Sequence, residues 1–181
     1  GEERQKVAQH ALKTESMSRL NAMVALAKDD SRVRVREEEL DPDPWLLNCM
    51  NGVIDLRIGQ LLPHDPRYMI TKIVPATYHP DAMCPTWDDF LLTIMGGNDE
   101  MIRFLQRAIG YSLTGDTREQ CFFILYGSGA NGKSTFLNPV IRLLNDYARQ
   151  TPPDTFLSLK RRGINNDLAR LKGVRFVTAT E

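Results

Sequence analysis

The chain has 181 residues, with 23 basic and 23 acidic side chains and 42% hydrophobic residues. This composition is ordinary for a globular protein, and the length suffices for one large or two small domains. No apolar run approaches membrane-spanning length and no signal peptide opens the chain, so we expect a cytoplasmic protein with no membrane partner. Gly1 in place of Met indicates a fragment or a processed chain. The three cysteines lack metal-ligand spacing and are expected to be reduced thiols: Cys49, Cys84 and Cys121.

Residues 2–28 have the pattern of two helices. The sequence predicts a break near Thr14, a candidate N-cap for the second helix. The apolar residues of that helix recur at three- and four-residue spacing and predict one stripe: Met17, Leu20, Val24 and Ala27. The segment 29–44 carries clusters of charge and two Asp-Pro pairs, which predict a solvated connection.

Short β segments are predicted between residues 45 and 78. Segments 46–50 and 53–56 flank Asn51-Gly52, the strongest hairpin signal in the chain. Further strands are predicted at 60–62 and 68–74, each followed by a proline. This small sheet carries no recognisable catalytic constellation.

Two helices are predicted to follow. The first should begin at Thr86, which forms a candidate capping pair with Asp89, and should end at Gly96. Asn98 should cap the second helix, whose first turn carries carboxylates that suit the helix dipole. Gly115 should close that helix.

The most informative stretch is 121–135. The apolar, aromatic-rich run 121–126 predicts a strand buried on both faces. Directly after it, Gly127, four residues, Gly132, Lys133 and Ser134 match the phosphate-binding loop pattern. An amphipathic helix is predicted after the loop, interrupted by Pro139.

Each residue type in this loop has a chemical reason. Glycines at 127, 129 and 132 permit positive φ angles and a close approach of the backbone to phosphates. Lys133 would place its ammonium against the β and γ phosphates, and the Ser134 hydroxyl would bind Mg²⁺. We therefore predict a site for a nucleoside triphosphate and Mg²⁺; the loop does not specify which base the nucleotide carries. Its nucleotide-binding residues are Gly127, Ser128, Gly129, Ala130, Asn131, Gly132, Lys133, Ser134 and Thr135.

Downstream, a short helix is predicted at 166–171 and a strand at 174–180 that ends in Glu181. An apolar strand ending in an acid, 47 residues after Ser134, is typical of a Walker B motif. Glu181 is therefore a candidate metal-binding and catalytic residue, with Lys133 as the second candidate catalytic residue. Residues 121–181 carry nine basic and four acidic side chains, which suits an anionic ligand or nucleic acid. The densest basic cluster is 160–162.

The motifs at 127–135, 166–173 and 178–181 together resemble those of superfamily 3 helicases. More narrowly, they are similar to the primase–helicase family of phages, plasmids and poxviruses, and 48–66 resembles the module that precedes the ATPase in those proteins. The resemblance implies an ATP-driven DNA helicase, phage- or plasmid-encoded in a bacterial cell. It would form a ring, typically a hexamer, that moves along single-stranded DNA. It also implies that the sensor strand, the DNA-contacting hairpin and the arginine from a neighbouring subunit lie beyond Glu181, and that a primase domain lies upstream.

The predicted fold class is α/β. A mostly helical module with small β hairpins, 1–114, should precede the first part of a P-loop NTPase (AAA+-like) parallel sheet, 115–181. Two alternatives stay open: a nucleotide-binding module for oligomerisation or DNA binding without turnover, and a P-loop nucleotide or metabolite kinase. The short interval between the two Walker motifs and the lack of a recognisable lid count against the kinase.

Overall fold

A computed structural model describes residues 2–156 and 166–180. The chain divides into two compact units, Gly1–Leu40 and Asp41–Glu181. The predicted boundary at 114/115 therefore lies inside the second unit. None of the helices in the described part of the chain has the length and apolar character needed to cross a lipid bilayer.

The first unit contains two helices, α1 (Glu2–Thr14) and α2 (Met17–Asp29), followed by a 3₁₀ turn at Glu37–Glu39. The prediction of two helices is confirmed. Thr14, however, is the last residue of α1 and its hydroxyl donates to the His10 carbonyl, so it does not cap α2. Ser16 occupies that N-cap position. None of the 13 residues of α2 is buried, so its predicted apolar stripe does not form a buried face.

The second unit begins with an antiparallel sheet of three strands, β1 (Leu46–Cys49), β2 (Gly52–Asp55) and β3 (Gln60–Leu62). The turn falls at Asn51-Gly52 as predicted, and Leu47 pairs with Ile54 across it. The predicted strand at 68–74 is wrong. A 3₁₀ turn at Pro66–Tyr68 occupies the beginning of the predicted strand. The side chain of its N-cap residue, Asp65, accepts a hydrogen bond from the Arg67 N–H at 2.9 Å. Met69 then adopts a left-handed conformation that breaks an extended chain.

Two helices follow, α3 (Pro85–Ile94) and α4 (Asp99–Leu113). The Asn98 cap is confirmed, because its side-chain carbonyl accepts from the Met101 N–H at 3.0 Å. The Thr86–Asp89 capping pair is wrong. Pro85 already occupies the first helical position, which suits its fixed φ and missing N–H, and Cys84 is the N-cap.

The last part of the unit contains α5 (Lys133–Leu144), β4 (Ala148–Thr151), α6 (Asn166–Ala169) and β5 (Phe176–Ala179). Single 3₁₀ turns at Asn145–Tyr147 and Pro153–Thr155 flank β4. Strands β4 and β5 pair in parallel, with Arg149 opposite Val177. The strand before Glu181 is thus confirmed in shorter form, whereas β4 was not predicted. Helix α5 continues through Pro139.

One hydrophobic core serves both sheets of the second unit. Its buried members come from the antiparallel sheet and its neighbour Val74, from α5, and from the parallel pair: Leu47, Cys49, Ile54, Val74, Val140, Leu144, Tyr147, Ala148 and Phe176. The mixed α/β character is therefore confirmed. The antiparallel module and the parallel strands pack as a single body rather than as separate layers with their own cores.

The buried strand predicted at 121–126 is wrong. These residues have no strand structure, and Phe122, Ile124 and Tyr126 are 82%, 72% and 89% exposed. A strand needs a neighbour to pair its backbone N–H and C=O groups, and none of the strands in 2–156 or 166–180 pairs with this segment. The ring of Phe123 contacts Phe104 of α4 edge-on, with centroids 5.9 Å apart.

Candidate functional site

The loop 127–132 joins the exposed segment 121–126 to the first turn of α5. Three of its residues have positive φ: Gly127 at 151°, Ala130 at 60° and Gly132 at 83°. The expectation that Gly129 would also have positive φ is wrong, since the left-handed position falls on Ala130 instead. The backbone conformation therefore calls for glycine at two of the three predicted positions.

Helix α3 packs directly against the end of this loop. A Cβ atom added at Gly132 would lie 2.8 Å from Ile94 Cγ2 and 3.5 Å from the Phe90 ring. Gly132 is also the N-cap of α5 in a left-handed conformation. Both the limited space and the φ angle disfavour a larger residue at this position.

An aromatic cluster supports the beginning of α5. Trp87 stacks on Phe136 with centroids 5.6 Å apart, and contacts Phe90 at 5.5 Å. Phe136 is buried and lies in the first turn of α5. The junction between the loop and α5 thus rests on a packed apolar base formed by α3.

Lys133 is the first residue of α5, and its side chain reaches back into the loop. Its Nζ donates to the Gly127 carbonyl at 3.0 Å and to Asn131 Oδ1 at 2.7 Å. Asn131 Nδ2 lies 2.0 Å from the place where a Cβ of Gly127 would sit, so the amide crosses the loop close to that glycine. The ammonium of Lys133 is therefore folded back into the loop rather than extended into solvent.

The first turn of α5 offers further groups to an anion. The first intrahelical hydrogen bond of this turn runs from the Phe136 N–H to the Gly132 carbonyl, at 2.8 Å. The N–H groups of the preceding turn residues have no intrahelical acceptor, and the helix dipole favours negative charge beside them. Ser134 and Thr135 are exposed, and within the described ranges their hydroxyls make no hydrogen bond. These groups fit a phosphate with an associated Mg²⁺, which Ser134 would contact.

The two other predicted features of the site lie outside the described residues. Glu181 is two residues beyond the end of β5, and the basic cluster 160–162 falls in the undescribed stretch. The last described residue before Glu181 is Thr180, whose hydroxyl accepts from Gln150 Nε2 at 2.7 Å. The assignment of Glu181 as the Walker B acid stays a prediction.

Arg175 anchors the strand that leads to Glu181, a role that no local sequence pattern indicates. Its guanidinium donates to the carbonyls of Leu113 and Leu46, both at 2.8 Å. Burial lowers the pKa of Arg175, while Tyr147 and nearby carboxylates act in the opposite direction. Arg175 thus ties the end of α4 and the start of β1 to the approach to β5.

A glycine-rich turn that enters a helix N-terminus, with a lysine ammonium folded into it, defines a candidate anion site in an α/β protein. Residues 1–96, just over half of the chain, match the family described as "D5 N terminal like". The chain therefore belongs to the D5 N terminal-like family.

Two curated proteins are similar to this chain. One is "Putative helicase L207/L206" of Acanthamoeba polyphaga mimivirus, 28% identical over 144 residues, which are 75% of this chain and 15% of that protein. The other is "Uncharacterized mitochondrial protein ymf21" of Marchantia polymorpha, 30% identical over 101 residues, which are 56% of this chain and 49% of that protein. The chain thus spans half or less of the length of either relative.

Proposed function

We propose that the loop 127–132 and the first turn of α5 bind the phosphates of a nucleoside triphosphate, ATP in the first instance, together with Mg²⁺. The observation that carries this proposal is the position of Lys133, whose ammonium lies inside the loop beside a helix N-terminus whose first N–H groups have no acceptor among the described residues. A dense anion needs such converging donors, and Mg²⁺ would offset the remaining phosphate charge.

Each loop residue has a role in this proposal. Lys133 contacts the β and γ phosphates, Ser134 binds Mg²⁺, and the backbone of 127–132 with Thr135 surrounds the phosphate chain. Glu181 acts as the Walker B acid at Mg²⁺ or at the attacking water.

The proposed activity of the whole protein is that of an ATP-dependent DNA helicase of superfamily 3. It would move along single-stranded DNA as a ring, a hexamer by family resemblance, during DNA replication. Membership of the D5 N terminal-like family and the similarity to a viral protein named as a helicase support this proposal. The loop motif alone suits a kinase or a non-hydrolysing module as well, but neither of these has comparable support.

Calorimetric titration with Mg·ATP tests the nucleotide site. Lys133→Ala removes a charge-assisted contact worth about 1.5–3 kcal/mol, so the affinity should fall roughly ten- to a hundredfold. Arg142→Ala is the matched control, because it removes one exposed cation from the same helix. Equal affinities for the parent protein and Lys133→Ala would disprove the phosphate site.

Turnover is tested separately, in a protein that spans the length of the viral relative. Single-stranded DNA should stimulate its ATP hydrolysis, and Glu181→Gln should retain ATP while slowing hydrolysis severely. A Glu181→Gln variant that hydrolyses ATP at the parent rate would place the Walker B acid elsewhere. ATP binding without hydrolysis in the parent would favour the non-hydrolysing module.

A further inference from the structure

Asn131 has two contacts that the phosphate-loop pattern does not require. The pattern leaves the four residues between Gly127 and Gly132 open. In this chain the side-chain carbonyl of Asn131 accepts from Lys133 at 2.7 Å, and its amide nitrogen lies against Gly127. Asn131 itself is exposed, so burial does not explain why its side chain takes this position.

The contact matters because it determines the orientation of Lys133. A lysine ammonium has three N–H donors. Two of them are occupied here, one by the backbone carbonyl of Gly127 and one by the side chain of Asn131. A lysine side chain with free rotamers would lose much of its conformational entropy on being fixed by a ligand. Two acceptors that already hold the ammonium reduce that loss and leave the third donor for the ligand.

The side-chain amide of Asn131 is suited to hold the Lys133 ammonium for a second reason, because it carries no charge. A carboxylate at position 131 would accept the same hydrogen bond, but it would neutralise the ammonium and repel a phosphate at close range. In the described structure Asn131 Nδ2 donates no hydrogen bond, so its N–H groups stay available on the same side of the loop. A neutral carbonyl orients the cation without reducing its attraction for an anion.

We propose that Asn131 is a positioning residue for Lys133: together with the Gly127 carbonyl, it fixes the ammonium before a nucleoside di- or triphosphate binds. This inference rests on the proposed nucleotide site, and it adds a determinant of phosphate affinity that the motif leaves unspecified. Its effect on the ligand passes through Lys133.

The first experiment measures Mg·ATP affinity by calorimetry for Asn131→Ala and for Asn138→Ala. Asn131→Ala should bind about tenfold more weakly, because the ligand must then fix a Lys133 side chain that is free to rotate, and this costs conformational entropy. Asn138 is exposed on α5 and makes no hydrogen bond in the described structure, so Asn138→Ala should bind as the parent does. The melting temperature of both variants should stay at the parent value, because neither side chain is buried. Parent affinity in Asn131→Ala would overturn the proposal.

The second experiment separates positioning from a general effect on the loop. A double-mutant cycle compares Asn131→Ala in the parent and in Lys133→Ala, with ATP raised to millimolar concentration so that weak binding is still measured. If Asn131 acts through Lys133, its substitution should change the affinity less than twofold once the lysine is absent. An undiminished tenfold loss in the Lys133→Ala background would show that Asn131 acts independently, and would overturn the proposal.

A third variant tests the role of the neutral carbonyl. Asn131→Asp keeps the size and the acceptor but adds a negative charge, so its ATP affinity should fall below that of Asn131→Ala. An Asn131→Asp variant that binds ATP as tightly as the parent protein would overturn the proposal. Failure of the nucleotide site itself has a different signature, because the parent and Lys133→Ala would then be indistinguishable before any change at Asn131.

Discussion

Arg175 lies over the ring of Tyr147, with its guanidinium carbon 4.7 Å from the ring centroid. Tyr147 is almost completely buried, and its hydroxyl accepts from the Asn48 N–H at 3.2 Å and donates to the Lys72 carbonyl at 3.3 Å. The backbone N–H of Arg175 donates to the Tyr147 carbonyl at 2.8 Å. This pair therefore links the antiparallel sheet to the parallel strands at the centre of the second unit.

Replacing Arg175 should destabilise the second unit. Arg175→Met would leave the carbonyls of Leu46 and Leu113 without their donor, and the loss should be about 2–4 kcal/mol in the free energy of unfolding. Urea unfolding followed by circular dichroism measures this change. Arg170→Met, at an exposed arginine without a hydrogen bond in the described residues, should stay within about 0.5 kcal/mol of the parent. Equal effects of the two substitutions would contradict the linking role of Arg175.

The two glycines at 129 and 132 should respond oppositely to alanine. Gly132→Ala places a Cβ atom against Ile94 and forces alanine into a left-handed backbone conformation. The free energy of unfolding should fall by about 1–3 kcal/mol, because of the backbone strain and the close contact. Gly129 has ordinary φ and open space, so Gly129→Ala should be neutral or stabilise by up to about 1 kcal/mol. Thermal and urea unfolding of both variants give the comparison. A larger loss in Gly129→Ala would contradict the loop conformation.

Asp41 should contribute to the pH dependence of stability. Burial raises its pKa, but hydrogen bonds from Thr71 and the charge of Lys72 outweigh burial and lower the pKa below 3.8. A carboxyl with a lowered folded pKa stabilises the fold above the unfolded pKa, and this stabilisation is lost as the pH falls through the folded value. The parent should therefore lose stability below about pH 4.

Asp41→Asn should lose less stability than the parent between pH 6 and pH 3, because it has no carboxylate to protonate. Urea unfolding at the two pH values measures the difference. Asp81→Asn is the control, at an exposed carboxylate that makes no hydrogen bond in the described structure. The same pH response in Asp41→Asn and the parent would rule out a contribution from Asp41.

The exposed segment 121–126 gives a test that separates the structure from the sequence prediction. Phe122 is exposed, so Phe122→Ser should change the free energy of unfolding by no more than about 0.5 kcal/mol. It should also reduce self-association of the protein, because an exposed apolar segment with unpaired backbone groups favours edge-to-edge contact. Phe136→Ala removes a buried side chain of α5 and should lower the free energy of unfolding by about 3–5 kcal/mol. If Phe122→Ser lowered the free energy of unfolding as much as Phe136→Ala does, the segment 121–126 would be buried.

Local chemistry explains which elements the sequence predicted correctly. The Asn51-Gly52 turn, the segment 60–62 and the Asn98 cap each depend on residues within a few positions, so their signals survive in the sequence. The start of α5 directly after Gly132 was predicted for the same reason, because its pattern is contiguous, whereas phosphate binding by the loop 127–132 stays a prediction.

The errors concern elements that depend on distant partners. The run 121–126 has the composition of a buried strand, but a strand also requires a neighbouring strand, which composition cannot supply. β4 is a strand because it pairs with β5, although Arg149 and Gln150 in its middle are polar. Arg175 bonds to carbonyls 62 and 129 residues away, and no local pattern marks those acceptors.

The contact between Trp87 and Phe136 gives this protein a natural optical reporter. The chain has two tryptophans, and they lie in different surroundings: Trp87 stacks against the first turn of α5, whereas the other, Trp45, lies 5.9 Å below the Arg57 guanidinium beside the antiparallel sheet. Trp45→Phe therefore leaves a single indole whose emission reports on the base of the loop. Ligand-induced movement at the start of α5 becomes visible in the fluorescence of the unlabelled chain.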